Sequence, residues 1–275
     1  MKRINIDFKY TNTKYLMDFE TNYYTQNLLY EHFVRREICD PPMVETILDC
    51  LSIGATFIDV GCHVGYYTLI GRQKVGDEGS VYAFDPNPFT YSVLMNNIIL
   101  NGYKNIYAYN CALSNKEGTS TLNIPTCDEG LSTLCSLENL ETQIHQSKYK
   151  SSGVVHTVTK RLENVFENLI ENKIALIKLD VEGFEQEVIE GAMNFILNKK
   201  PLNIIFEVNK MVPNQKSNQM NNILNLLRPI GYESFIIHPW PYSEADKDYG
   251  RLTQFTEVEN IQYANILMKY KKQSN

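Results

Sequence analysis

From residue 55 onward the chain repeats one unit: a short apolar run, a polar turn and an amphipathic segment of helix length. The runs are ATFIDVG, GSVYAFDPNP, NIYAYNCALS, IALIKLDVEG and PLNIIFEVN. A run without polar alternation suits a strand buried on both faces, and helices between such strands supply the crossovers of a parallel sheet. GYYTLIGRQKVG reads as a helix ending at Gly76, and FTYSVLMNNIILNGY as one with Leu94 and Ile98 on a common face and Gly102 as its stop. EQEVIEGAMNFILNKK aligns Val188, Ile189, Ala192 and Ile196. After the helix NNILNLLRPIGY, SFIIHPW and YANILMKY are joined by a loop alone, which predicts an antiparallel hairpin. The expected fold is α/β: a mostly parallel sheet with an antiparallel edge hairpin and helices on both faces.

Residues 1–50 lack strand punctuation. TNYYTQNLLYEHFVRRE spaces Tyr23, Asn27, Tyr30 and Val34 as a helix does, and PPMVETILDCL opens on two prolines, which fit a first helical turn. They are expected to form a helical lead-in to a domain spanning 51–275. Residues 114–160 interrupt the alternation: GTSTLNIPTCDEGLSTL and VVHTVTKRL read as edge strands around a loop, a usual place for substrate contacts. At 275 residues and 43% hydrophobic, the chain can bury a core of domain size. A net charge of −6 argues against a nucleic-acid partner, which calls for basic surface. MKRINIDFKYTNTKY has no apolar core of signal-peptide length, and no apolar run approaches the roughly 20 residues of a membrane span. The expected location is cytoplasmic. Six cysteines are scattered without a C-x-x-C pair, so no zinc site is predicted; several sit in apolar runs and read as small buried hydrophobes, while Cys62, in the glycine loop, has only His63 as the basic neighbour a reactive thiol would call for.

In an open parallel sheet the ligand lies beyond the carboxyl ends of the strands. Those ends carry Asp59-Val60-Gly61, Asp85-Pro86-Asn87, Asn110-Cys111-Ala112, Asp180-Val181-Glu182-Gly183 and Glu207-Val208-Asn209. A charge in the apolar core is costly, whereas at the mouth of the sheet a ligand can pair it. The first loop reads Asp59-x-Gly61-x-His63-x-Gly65, not the G-x-G-x-x-G of dinucleotide folds. An acid ahead of the first glycine repels a pyrophosphate and suits a cationic ligand. Asp85 is placed to accept hydrogen bonds from ribose hydroxyls. A nucleoside with a positive, non-phosphorylated partner satisfies both demands, and S-adenosylmethionine is such a molecule.

FIDVGCHVGYYTL, VYAFDPNP, NCALSNKEG and LIKLDVEGFEQEVIEGA, in this order over residues 55–210, together resemble the FkbM-type S-adenosylmethionine-dependent methyltransferases. The resemblance implies a Rossmann-like class I methyltransferase sheet, S-adenosylmethionine as donor, and methyl transfer to a hydroxyl oxygen on a natural product or sugar. The expected donor-binding residues are Asp59, Gly61, His63, Gly65, Asp85, Asn87, Asn110, Ala112 and Asp180. The family pattern usually has Glu where this chain has Asp85; the shorter carboxylate still reaches a ribose. Glu182 is expected to face the acceptor. Glu182, Glu207 and His63 are, in that order, the candidates for the base that takes the hydroxyl proton. His63 stands where many such loops have glycine, which is tolerated if its φ is negative, and loop shaping or a ligand-tail contact is favoured for it over general base. Glu185 is expected to cap the next helix and Lys178 to form a core salt bridge. The acids also have purely structural readings, Asp59 as a cap and DPNP as a turn.

Asp180, Glu182 and Glu207 are oxygen donors of the sort Mg²⁺ takes, but nothing in the sequence fixes ligand geometry and no metal is assigned. Two rival readings stay open: a nicotinamide-dependent oxidoreductase, and a domain that binds S-adenosylmethionine without turnover. The acceptor is expected to be a glycan or other small molecule, held by the insertion and the first 50 residues, with His238 and Trp240 as further lining candidates.

Overall fold

The computed structural model describes residues 1–125, 129–134, 151–166, 173–209, 218–238, 251–256 and 263–271. Trp240, Cys127, Cys135 and the centre of the 114–160 insertion lie outside them.

The chain opens with a hairpin: β1 (Lys2–Phe8) and β2 (Thr13–Phe19) pair antiparallel, with Lys2 opposite Phe19. The lead-in is therefore part sheet, not wholly helical. Its signal is in the sequence: Ile4, Ile6 and Phe8, then Tyr15, Met17 and Phe19, fall at spacing two and turn one face inward. α1 (Tyr24–Val34) is a helix as expected, but it buries Gln26, Leu29 and Phe33, while Tyr23 and Val34 are exposed. α2 (Pro41–Cys50) opens on its two prolines with Asp40 as N-cap, whose carboxylate accepts from the Met43 N–H.

Strand and helix then alternate through β3 (Thr56–Val60), α3 (Tyr66–Val75), β4 (Ser80–Phe84), α4 (Pro88–Leu100) and β5 (Ile106–Tyr109). The insertion supplies β6 (Ala112–Leu113), β7 (Gly118–Pro125) and β8 (Ser151–Lys160). A short α5 (Leu162–Val165) leads to β9 (Ile174–Leu179), α6 (Glu185–Lys199), β10 (Asn203–Asn209) and α7 (Gln219–Leu227). β11 (Tyr232–Ile237), β12 (Leu252–Gln254) and β13 (Tyr263–Tyr270) follow.

The main sheet has the order β12-β11-β13-β10-β9-β3-β4-β5. From β10 to β5 the strands are parallel, and β13 runs antiparallel between β10 and β11. The expected antiparallel pair is present, but β13 is wedged inside the sheet and β12 takes the edge. Ile266, Leu267 and Met268 are buried on both faces of β13, which suits an inner strand, whereas all of β12 is exposed. β7 and β8 are not edges of this sheet; with β6 they form a separate three-stranded one.

The core lies on both faces of the main sheet. Phe57, Val81, Ile205 and Leu267 pack with α2, α3, α4 and the hairpin; Ile58, Phe84, Ile177 and Phe206 pack with α6 and α7. Each such side chain contributes about 1.5–3 kcal/mol by leaving water. Among the described residues no helix is long and apolar enough to cross a membrane.

α4 is engaged on two sides. Leu94 and Ile98 are buried in the core, while its asparagines reach the hairpin. The Asn101 amide accepts from the Leu16 N–H and donates to the Leu16 carbonyl, both at 2.8 Å, and Asn97 accepts from the Asp18 N–H at 2.7 Å. Leu16 and Asp18 are two apart, so these groups face the same edge of β2, and the side-chain amides stand in for a third strand. Asn101→Leu should leave a Leu16 donor and acceptor unpaired and cost about 1–3 kcal/mol for each group that stays dry, read as a lower urea midpoint.

Candidate active site

The parallel strands end together, and a cavity opens there beneath the insertion. Gly61, His63, Asp85, Asn87, Ala112, Asp180 and Glu182 line it, with apolar walls from Phe84, Leu113, Leu122 and Leu134. Asp59, Gly65, Asn110 and Glu207 are outside its lining.

Asp85 is the hub of the loops that follow β3 and β4. Its Oδ2 accepts from the His63 N–H at 2.8 Å, and its Oδ1 from the Asn87 N–H at 2.9 Å and the Thr90 hydroxyl at 2.7 Å. Burial pushes its carboxyl up, against the pull of the Thr90 hydroxyl and His63. Asn87 caps α4 through the Phe89 N–H at 3.0 Å and donates to the Ser132 hydroxyl at 3.2 Å. Asn110 donates to the Asp85 carbonyl at 2.8 Å and so fixes the end of β4 from its neighbour. Gly65 is the N-cap of α3. His63 does not have the negative φ expected of it: φ is 51°, in the left-handed region, where histidine is among the commoner non-glycine residues. Gly61 is required by a close approach, since a Cβ there would lie 1.8 Å from the Asp180 carbonyl oxygen.

Asp59 sits below the mouth rather than in it. It is 0 % exposed; Oδ2 accepts the Thr68 hydroxyl at 2.6 Å and Oδ1 faces the Lys178 ammonium at 3.7 Å. The pairing of β3 with β9 sets Asp59 opposite Lys178. Lys178, 2 % exposed, reaches on to Asp180 at 3.1 Å and lies 4.8 Å over the Tyr67 ring. Burial pushes the Asp59 carboxyl up. It pulls Lys178 down, but Asp180 and Asp59 outweigh it and Lys178 ends above its ordinary value. The expected core salt bridge thus runs from the sheet interior to the cavity wall. Cys62 is buried and its thiol is pushed well up by that burial, which keeps it from acting as a thiolate.

The chain turns directly after β9. Glu182 has φ 51° and Gly183 φ 96°, so Asp180 and Glu182 reach the same cavity instead of opposite faces. A glutamate in the left-handed region costs about 1–2 kcal/mol, so the turn must be held from outside. Glu185 does part of this, accepting from the Val181 N–H at 3.1 Å and the Gly183 N–H at 3.3 Å. It braces the turn ahead of α6 and, as an acid in the first turn of the helix, also accepts from its own N–H. Burial raises its carboxyl to about 7.

Carboxylate oxygens of Asp180, Glu182 and Glu207 lie within 4.8 Å of one another. Such a trio has the donor type Mg²⁺ takes, and equally accepts hydrogen bonds from a hydroxylated ligand. Glu207 is raised to about 8, first by burial and then by Asp180 and Glu185, with the Tyr263 hydroxyl pulling the other way. Asp40 faces this group from the lead-in. The Tyr67 hydroxyl donates to it at 3.2 Å, and burial, helped by Asp180, pushes its carboxyl up. Asp40 and Tyr67 escape the sequence reading; the only signal was an acid just ahead of two prolines. His238 pairs with the Thr253 hydroxyl at 2.9 Å and does not line the cavity.

Parallel strands, covering helices and a cavity at the strand ends define a Rossmann-like α/β sheet. The chain belongs to the FkbM methyltransferase domain family, whose model matches residues 59–234. It is 26% identical over 205 residues to methyltransferase sdnD of Sordaria araneosa, covering 66% of this chain and 76% of that one. It is 25% identical over 148 residues to methyltransferase 1 of Beauveria bassiana, covering 49% and 57%. A crystal structure of methyltransferase FkbM from Methylobacillus flagellatus superposes with a TM-score of 0.45 at 17% identity, over 78% of this chain and 43% of that one.

Lys178→Met leaves Asp59 buried without its cation and should cost about 3–5 kcal/mol in urea unfolding, less at acid pH where Asp59 takes a proton. Glu207 and Glu185 bind protons more tightly folded than unfolded. Their contribution to stability is full below their ordinary value of 4.5 and is lost as pH rises through about 7 to 8. Unfolding free energy should therefore fall over that window, and Glu207→Gln should flatten the fall in urea titrations across it.

Proposed function

We propose that the cavity binds S-adenosylmethionine and that the chain transfers its methyl group to a hydroxyl oxygen of a glycan or other small-molecule acceptor. The carrying observation is the division of the cavity wall. Asp85 and Asn87 follow β4, and Asp180 and Glu182 follow β9, the two strands that flank β3, with no Lys or Arg among the described lining residues. A dinucleotide pyrophosphate would meet three carboxylates and no cation there, which counts against the oxidoreductase reading.

The residues suit the donor. Asp85 takes three hydrogen bonds of the roughly four its two oxygens accept, leaving capacity for a ribose hydroxyl. Phe84, Leu113, Leu122 and Leu134 offer flat apolar cover for a base, beside Ala112. Asp180, held by Lys178, fronts the place for positive charge. When bound, S-adenosylmethionine supplies an activated methyl group, so alignment and exclusion of water are the main tasks of the protein.

A sugar or alkyl hydroxyl is a weak nucleophile, and Glu182 is the group proposed to take its proton. Glu207, raised to about 8, carries a proton near neutrality and is suited to donate a hydrogen bond to the acceptor there. His63 shapes the donor loop through its N–H to Asp85. Asp59 acts at one remove, by fixing Lys178. Both curated relatives are named as methyltransferases, which supports the reaction class.

Calorimetric titration with S-adenosylhomocysteine, S-adenosylmethionine and NADH tests the reading. The first two should bind at micromolar levels, and Asp85→Ala should weaken them roughly tenfold or more. Glu182→Gln should leave donor affinity near its starting value and lower turnover on hydroxylated acceptors roughly 10²–10⁴-fold. Binding of NADH alone would overturn the assignment.

A further inference from the structure

The turn bearing Glu182 is held from two directions. From the α6 side, Glu185 accepts the Val181 and Gly183 N–H groups, and Gln219 donates to the Gly183 carbonyl at 3.1 Å. From the insertion, the Thr133 hydroxyl donates to the Glu182 carbonyl at 2.8 Å. Thr133 is 3 % exposed, and its own N–H and carbonyl pair with Asn123 of β7 at 3.0 and 2.9 Å. The hydroxyl is therefore carried on backbone that β7 already fixes.

The same short segment covers the cavity. Gly130, Ser132 and Leu134 line it, and the Ser132 hydroxyl accepts from Asn87 on the far side. Residues 130–134 thus form a strap fastened at two points, to the loop after β4 through Asn87 and to the turn after β9 through Glu182.

We infer that Thr133 is a positioning residue for the acceptor-side acid. The strap cannot close over the donor without also setting the Glu182 turn, so cover of one substrate and placement of the group that serves the other are a single event. The inference rests on the reading of the cavity as the donor site. It requires the hydroxyl and not the bulk of the side chain, because the contact is a hydrogen bond to a backbone carbonyl.

Hydrogen exchange of the full chain, with and without S-adenosylhomocysteine, tests it. Unliganded Thr133→Val, which keeps the volume and removes the donor, should exchange amides 181–185 roughly tenfold faster than wild type. Thr133→Ser should restore the wild-type rate. With S-adenosylhomocysteine, wild type and the serine variant should gain protection in both 129–134 and 181–185, and the valine variant should reach a lower protection in 181–185 than either. Equal unliganded rates in all three proteins, a serine variant behaving like valine, or liganded protection of 181–185 equal to wild type in valine would overturn the inference. Should the valine variant not fold, Thr133→Ala against Thr133→Ser makes the same comparison. A wild-type chain that S-adenosylhomocysteine protects nowhere sinks the donor reading instead, and the unliganded rates alone then decide the role of Thr133.

Discussion

Lys178 lies in the middle of the sheet with its ammonium between Asp59, which is fully buried, and Asp180, which lines the cavity. A charge so far from water survives only with opposite charge on hand, and here it has one acid on each side. The consequence for the site is mechanical. Asp180 is anchored to the core through Lys178, and the Gly61 loop presses against its carbonyl from the other strand. The mouth of β3 and the mouth of β9 are therefore one rigid piece, and the loops that meet a ligand start from a fixed frame.

Around that frame the acids are managed by proton as well as by partner. Asp40, Asp180, Glu182, Glu185 and Glu207 crowd the ends of β9 and β10, and full ionisation would set them against one another. Burial relieves the conflict by lifting Glu185 and Glu207 toward neutrality. The carboxyl groups can thus present acceptors and donors of hydrogen bonds together.

The sequence makes the α/β alternation readable because buried parallel strands are continuous apolar runs, and β3, β4, β5, β9 and β10 all carry that mark. The β1–β2 hairpin carries a mark too, in the spacing of two at Ile4, Ile6 and Phe8, but polar residues between them and the weak punctuation of the segment leave it faint. The wedging of β13 between β10 and β11 is a non-local pairing that no local pattern records. In the site, Gly61, Asp85, Asn87, Asp180 and Glu182 were legible because strand ends converge by topology. Asp59 closes the same apolar run, but its pairing with Thr68 and Lys178 beneath the cavity lining depends on neighbouring elements that the run does not record. The sign of φ at His63, the approach of Asp40 and the reach of Thr133 depend on how distant segments pack, and nothing adjacent in the chain encodes them.

The asparagines of α4 have a bearing on specificity. The hairpin is seated by amides that pair with particular backbone groups of Leu16 and Asp18, not by apolar area alone. Greasy surfaces slide; paired amides index. A shift of one residue along β2 would break every one of these bonds at once. The lead-in therefore has a single seat on α4, and its far end delivers Asp40 beside Tyr67 from that seat. A segment that looks like an appendage is in effect a gauge, setting how far Asp40 stands from Tyr67 and the end of β9.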